Sequence, residues 1–329
     1  MKKVCVIGDG AWGTAVATLL AHNGNQVNLW CHDAANAQLI ARTHKNERYL
    51  PGFTLSEQII PTSSLEDAMR DTRWIFQATP VQYLRSVILQ AAPCFEQDQV
   101  WVVLSKGIEK DTLLLPTQII DDIFANSPQK AVLAGPSFAA DVVNKQVTGV
   151  SIAATDMALA RELQTMLNNE YFTAFINDDV LGIQIGGAVK NVITLGVGML
   201  EGAGYTDNTK AFLVTRGLHE ITLIAKIMGG KTETLYGLSG IGDLMLTALG
   251  KLSRNLAVGK RLGKGDPLKT ILDELGHVPE GINTVQSIQQ LADKHHLQLP
   301  ICSAINAIIF TGKKIDHLIA ALMQDAAVE

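Results

Sequence analysis

The chain has 329 residues, 47% of them hydrophobic and 18% charged, with a net charge of −5. This length and composition accommodate two domains with substantial cores and exclude a disordered chain. Lys and Arg form no dense cluster, so a nucleic-acid or anionic-membrane surface is not expected.

Met1-Lys2-Lys3 opens like an export signal, but the apolar run behind it is short and gives way to glycine. Neither export nor membrane insertion is therefore expected. That run, Val4-Cys5-Val6-Ile7, is the first expected strand. Gly8-Asp9-Gly10-Ala11-Trp12-Gly13 follows directly, ahead of an apolar helix through Ala15 to Leu20. A strand, a G-x-G-x-x-G turn and a helix in that order present unpaired N–H groups and the positive helix end to a pyrophosphate. Gly8 allows the tight turn, Gly10 the close approach of backbone to phosphate, and Gly13 the packing of helix on strand. The second expected strand, 27–30, should end in an acid that holds the ribose hydroxyls of NAD. Cys31-His32-Asp33 stands there instead, which puts a histidine where a 2′-phosphate would lie. Asp33 either moves into the ribose role or caps the helix that begins at Ala34. Both NAD and NADP stay open as cofactor.

Further strands are expected at 74–78, 100–104, 131–134, 149–153 and 172–176, with helical segments between them. Such alternation predicts an α/β fold, a parallel, doubly wound Rossmann-like sheet covered on both faces, over residues 1–180. Residues 50–63, with Pro51-Gly52 and Pro61, read as loop. Thr79-Pro80, Ser105-Lys106-Gly107 and Gly135-Pro136-Ser137 each follow a strand, at the carboxyl ends that line the ligand crevice of such a sheet. Beyond Asp178-Asp179 the pattern becomes purely helical, so an all-α domain is expected over 181–329. Its helices are placed near 181–200, 208–228, 254–262, 268–275, 284–295 and 300–310, with one more near the C-terminus.

Residues 182–196 are apolar nearly all round, as in a buried helix. Lys190 and Asn191 are polar exceptions within it. A lysine there must aim its ammonium into a cleft, and desolvation then lowers its pKa toward the range of general acid/base work. Gly186 and Gly187 let a backbone or a ligand come close. Ser239-Gly240-Ile241-Gly242-Asp243 is a second glycine-rich turn, and Asp243 either pairs with Lys190 or caps a helix. Ser253-Arg254-Asn255 stands at a helix start, where a guanidinium beside unpaired N–H groups makes a phosphate clamp. Lys106 follows a strand directly and faces the crevice. Thr247, Val278 and Glu280 are weaker candidates. Cys5, Cys31, Cys94 and Cys302 are widely separated, which fits structural thiols in a reducing cytoplasm. His219, His277, His295, His296 and His317 have no metal-ligand spacing, so no metal is expected.

Together, the glycine fingerprint with its tryptophan, the 105–109 stretch Ser-Lys-Gly-Ile-Glu, Gly135-Pro136-Ser137-Phe138-Ala139, Gly187-Ala188-Val189-Lys190-Asn191, Gly240-Ile241-Gly242-Asp243 and Ser253-Arg254-Asn255 resemble the NAD(P)-dependent glycerol-3-phosphate dehydrogenases, the bacterial cytoplasmic type above all. The resemblance covers essentially the whole chain. It implies a Rossmann domain followed by a helical domain, and interconversion of dihydroxyacetone phosphate, a phosphorylated triose, and sn-glycerol 3-phosphate for phospholipid synthesis. By the same resemblance Lys190 exchanges the proton, and Lys106 touches cofactor and substrate. Gly135, Ser137, Asp243, Ser253, Arg254 and Asn255 hold the substrate. Gly8, Gly10, Ala11, Trp12, Gly13, His32, Ala139, Arg254, Val278 and Glu280 fall at cofactor positions. Ala11 stands where serine is usual and His32 where arginine is also common, departures that bear on cofactor preference. A homodimer is compatible with the sequence. A hydroxy-acid dehydrogenase would share the fingerprint but needs a carboxylate clamp, and a cofactor sensor has no use for a buried proton donor.

Overall fold

The first apolar run, Lys3–Ile7 (β1), is extended, and Val4 to Ile7 are fully buried because both faces of the strand are covered. The computed structural model describes residues 2–125, 128–276 and 278–324. Around β1 stand Gln26–Trp30 (β2), Ile59–Thr62 (β3), Trp74–Gln77 (β4), Val100–Val103 (β5), Gln129–Ala134 (β6), Thr148–Ala154 (β7) and Phe172–Asn177 (β8). They form one sheet in the order β3-β2-β1-β4-β5-β6-β7-β8. The chain runs outward from β1 through β2 to β3, then returns to add β4 on the other side of β1. The direction of strand order thus reverses between β1 and β4, and a crevice opens at the carboxyl ends of such a pair.

Two features of the sheet depart from the sequence expectation. Strand β3 lies within 50–63, which reads as loop. It is a four-residue edge strand paired to β2 with Leu29 opposite Pro61, and a proline is tolerated at an edge, where its missing N–H breaks no central ladder. In addition, β6 and β7 pair antiparallel, whereas every other neighbouring pair is parallel. The helix between them, Ala139–Val143, has five residues. At 1.5 Å per residue it spans about 7 Å, against roughly 20 Å for the six residues of β6. A crossover that short does not return the chain to the start of the sheet, so the next strand runs backward.

The chain divides into two compact units. Met1–Ser105 and Pro116–Val180 carry the sheet, whereas Lys106–Leu115 belongs with the helical residues from Leu181 onward. A single cut at residue 180 therefore misplaces one segment. Ile108, Leu113 and Leu115 are buried in the helical unit's core, against which 106–115 is packed. The longest helix of the chain among the described residues is Val180–Gly202, of which Gly182 to Leu200 are all buried. By length and composition this helix could cross a membrane, but 89% of its most apolar stretch is buried inside the protein, as in a core helix. Around it lie Asp207–Met228, Asp243–Leu249, Arg254–Gly263, Leu268–Leu275, Glu280–His295, Pro300–Thr311 and Asp316–Met323. Glu280–His295 begins four residues before its expected start, because Pro279 precedes its first turn as the cap residue rather than ending a loop.

Candidate active site

In the sheet unit, the glycine turn joins β1 to the helix Ala11–His22. Gly8 has φ +115°, and a Cβ on Gly13 would stand 1.9 Å from the Gly8 carbonyl oxygen, so packing of helix on strand requires glycine at both places. Gly10 is different: nothing lies within 4 Å of where its Cβ would stand. The protein's own packing does not demand a glycine there, whereas a phosphate laid against the backbone would. Gly10 caps the helix with no side-chain hydrogen bond, and the first intrahelical bond is from Thr14 N to Gly10 O, 2.9 Å. The N–H groups of Ala11, Trp12 and Gly13 thus have no acceptor within the helix. These observations fit a bound dinucleotide.

The turn is braced by residues that the sequence does not point to. Asn46, fully buried, donates from Nδ2 to Asp9 O at 2.7 Å and to Thr14 Oγ1 at 2.8 Å. Asn36 Nδ2 donates to the Asp9 carboxylate at 2.6 Å. A lone asparagine 37 positions after Asp9 carries no periodic signal by which it could have been found. Asp33 takes the capping alternative, its Oδ1 accepting from Ala35 N at 2.9 Å. His32 is exposed, its ring 5.9 Å from that of Trp30. Gly135 and Ser137 follow β6, with Ser137 Oγ donating to Gly135 O, and Ala139 opens the short helix after them.

In the helical unit, Lys190 is 5% exposed on Val180–Gly202. A Cβ on Gly186, one turn earlier, would stand 2.5 Å from Ser239 O, so glycine there lets the second glycine-rich turn close on the helix. That turn is a π-helical turn, Leu238–Gly242, leading into Asp243–Leu249. Asp243 and Thr247 are four residues apart on this helix and therefore share a face. Both meet Lys190 Nζ, through Asp243 Oδ1 at 2.5 Å and Thr247 Oγ1 at 2.6 Å. The Thr247 hydroxyl donates its own hydrogen to Asp243 O, 2.7 Å, which leaves its lone pairs to accept from the ammonium. Asp243 Oδ2 accepts from Lys106 Nζ at 2.7 Å. One buried carboxylate thus holds two ammonium groups, and two of the three Lys190 hydrogens are committed. Asp243 acts as this bridge; the cap residue of its helix is Gly242.

Burial lowers the Lys190 pKa to about 8, and Lys106 adds to the drop while Asp243 and Glu280 oppose it. Glu280 is pushed up by burial and drawn back by Lys106, Lys190 and Arg254. Its Oε2 accepts from Asn191 Nδ2 at 3.2 Å. Ser253 caps Arg254–Gly263 through Leu256 N. Asn255 is buried and turns Oδ1 to Gly281 N at 3.2 Å, while Arg254 is exposed at the helix start. Val278 is 38% exposed. Thr247, a weaker candidate in the sequence, is brought to Lys190 by its four-residue spacing from Asp243 on the helix that starts there. Burial raises the Cys5, Cys31 and Cys302 thiols, so none is poised as a thiolate nucleophile. Among the described residues no three His, Cys, Asp or Glu side chains gather as metal ligands; His277 lies outside the described residues.

Comparison with known proteins decides the family. Residues 3–160 match the family described as NAD-dependent glycerol-3-phosphate dehydrogenase N-terminus, and residues 179–320 match its C-terminus. The chain belongs to this family. Among curated members, the glycerol-3-phosphate dehydrogenase [NAD(P)+] of Bacillus velezensis is 39% identical over 98% of this chain and 94% of its own length. That of Bacillus subtilis is 40% identical with the same coverage. The crystal structure of glycerol-3-phosphate dehydrogenase from Coxiella burnetii superposes with a TM-score of 0.95 at 29% identity, covering 98% of this chain and 99% of that one. A ketopantoate reductase from Ralstonia eutropha, TM-score 0.62 at 14% identity, shares the fold alone. The glycerol-3-phosphate dehydrogenase family thus accounts for both units, the sheet with its glycine turn and the helices that carry Lys190.

Proposed function

We propose that this chain interconverts dihydroxyacetone phosphate and sn-glycerol 3-phosphate with NAD(P)H, and that Lys190 exchanges the proton. Membership of the family supports the reaction. The observation that carries the residue assignment is the buried ammonium held by Asp243 and Thr247 with a pKa near the working range, about 8. When bound, the nicotinamide supplies the hydride for the ketone carbon.

As that carbon is reduced, negative charge grows on its oxygen, and the uncommitted Lys190 hydrogen passes to it. Asp243 keeps the ammonium protonated against the cost of burial, and Thr247 fixes its direction, so little reorganisation accompanies the transfer. Lys106, held by the same carboxylate, stabilises the developing alkoxide as a second positive charge. Arg254, exposed beside a helix N-terminus, offers a fork to the substrate phosphate, with Ser253 and Asn255 shaping that helix start. Gly135 and Ser137 complete the substrate contacts by the same motif correspondence. Gly8, Gly10, Ala11, Trp12 and Gly13 receive the pyrophosphate, and His32, Ala139, Val278 and Glu280 serve the rest of the dinucleotide. We place the enzyme in the cytoplasm, making glycerol 3-phosphate for phospholipid synthesis, a location that suits its unpaired cysteines.

The test is oxidation of NADH and of NADPH, followed by nicotinamide absorbance, with dihydroxyacetone phosphate and with unphosphorylated dihydroxyacetone. Turnover of the phosphate ester at more than about a hundredfold higher kcat/KM is expected, the scale of a charged phosphate clamp. Equal efficiencies for the two ketones would remove the phosphate assignment.

A further inference from the structure

One polar cluster of the sheet unit enters the mechanism above only through His32. Beyond the end of β2 a cavity is lined by Asp9, His32, Asp33, Ala34, Arg48 and Tyr49. Asp9 follows Gly8 directly, so the cavity adjoins the glycine turn on the side where β2 ends, the position of the adenosine ribose when this type of fold binds a dinucleotide. The Asp9 carboxylate is turned to Asn36. The Asp33 carboxylate is divided: Oδ1 caps the helix Ala34–Thr43, and Oδ2 accepts from Arg48 Nη1 at 2.8 Å. Arg48 lies over the Tyr49 ring, 5.1 Å from its centroid, and is about half exposed.

A carboxylate alone at this place accepts a ribose hydroxyl and repels a 2′-phosphate. A guanidinium alone does the reverse. Here the two are paired, and the guanidinium has four further N–H donors beyond the one given to Asp33. We propose that the Arg48–Asp33 pair sets cofactor selectivity, a proposal that rests on the glycine turn being the dinucleotide site. With NADP, Arg48 keeps its bond to Asp33, cancels that charge, and offers its other N–H groups to the 2′-phosphate. With NAD, the ribose 2′-hydroxyl donates to Asp33 Oδ2 while Arg48 draws back over Tyr49. Selection thus lies with a residue 16 positions beyond His32, in a segment that the sequence reading leaves unassigned.

The test measures binding of 2′,5′-ADP and of 5′-ADP to the full chain by calorimetry, for the parent, Arg48→Ala and Asp33→Asn, with thermal melts to verify folding. Asparagine caps a helix as well as aspartate does, so Asp33→Asn removes the charge and spares the cap. Arg48→Ala should lower the preference for 2′,5′-ADP over 5′-ADP about tenfold or more, the scale of one charge-assisted contact to phosphate. Asp33→Asn should raise the same preference several-fold, and the kcat/KM ratio for NADPH over NADH should follow both changes. A preference unaltered in Arg48→Ala overturns the proposal. Failure of the parent to bind either nucleotide refutes the dinucleotide site itself, and with it this assignment.

Discussion

Asp243→Asn replaces the buried carboxylate between two ammonium groups with a neutral group of the same shape. The Lys190 and Lys106 nitrogens lie 2.5 and 2.7 Å from its two oxygens. For charge centres about 4 Å apart at an effective dielectric constant of about 20, one such attraction is worth roughly 4 kcal/mol, or about three pKa units. Lys190 titrates at about 8 in the parent, so in the variant it should titrate near 5, with the repulsion from Lys106 no longer balanced. At pH 7 the share of molecules carrying the proton falls from about nine in ten to about one in a hundred. In the role proposed for Lys190, ketone reduction needs that proton, so its rate should decline as pH rises through the lysine's titration. The alkaline limb of kcat should therefore lie near 8 in the parent. In the variant, activity should decline about tenfold per pH unit across the range from roughly 6 to 8. The assay is kcat against pH at saturating substrate and cofactor, with thermal melts to show that the variant folds. A limb that stays near 8 while activity falls uniformly would refute the electrostatic argument and leave Asp243 a purely structural residue.

Lys190→Met should bind cofactor but lose two to four powers of ten in kcat, the usual worth of general acid catalysis, and activity within about tenfold of the parent would remove Lys190 from the mechanism. Lys190→Arg should fail equally, because a guanidinium holds its proton near neutral pH. Arg254→Ala should lower kcat/KM for dihydroxyacetone phosphate tenfold to a hundredfold or more, the scale of an unpaired charged contact, and leave plain dihydroxyacetone far less affected; equal losses for both would show that Arg254 does not read the phosphate. Stability should carry the Lys190 signature as well. Its pKa falls from 10.5 to about 8 on folding, so between those values the unfolded chain holds the extra proton and stability contributed by this group rises with pH. Denaturant titrations should show the parent gaining about 3 kcal/mol relative to Lys190→Met across that window, and parallel curves would contradict the assigned shift.

What could be read in the sequence divides along physical lines. Strands such as β1 and β5 are buried on both faces and announce themselves as unbroken apolar runs. The edge strand β3 needs no such run, and its proline argues for loop. The reversal at β7 follows from the length of a connection, which periodicity does not weigh. Lys190 was legible because a charge in an all-apolar helix demands an explanation. The bridging of Asp243 to both lysines was only partly legible, since Lys106 reaches it across 137 positions of chain. Asn46, with two bonds to the glycine turn, and Arg48, with one to Asp33, act across the chain, and nothing in their immediate neighbours marks them.

The short segment that leaves the sheet unit at Lys106 and returns at Leu115 also constrains how the enzyme is built during synthesis. It emerges from the ribosome well before Ser287, whose hydroxyl bonds Ile108 O across 179 positions. Three apolar side chains, Ile108, Leu113 and Leu115, must therefore wait in an unfinished chain until the helices that cover them are made. A fragment beginning at Leu181 lacks all three and Lys106 besides. Such a fragment has a gap in its core and an Asp243 carboxylate missing one of its two ammonium partners, so the halves of this enzyme are not separable modules, whatever the linear order of its motifs suggests.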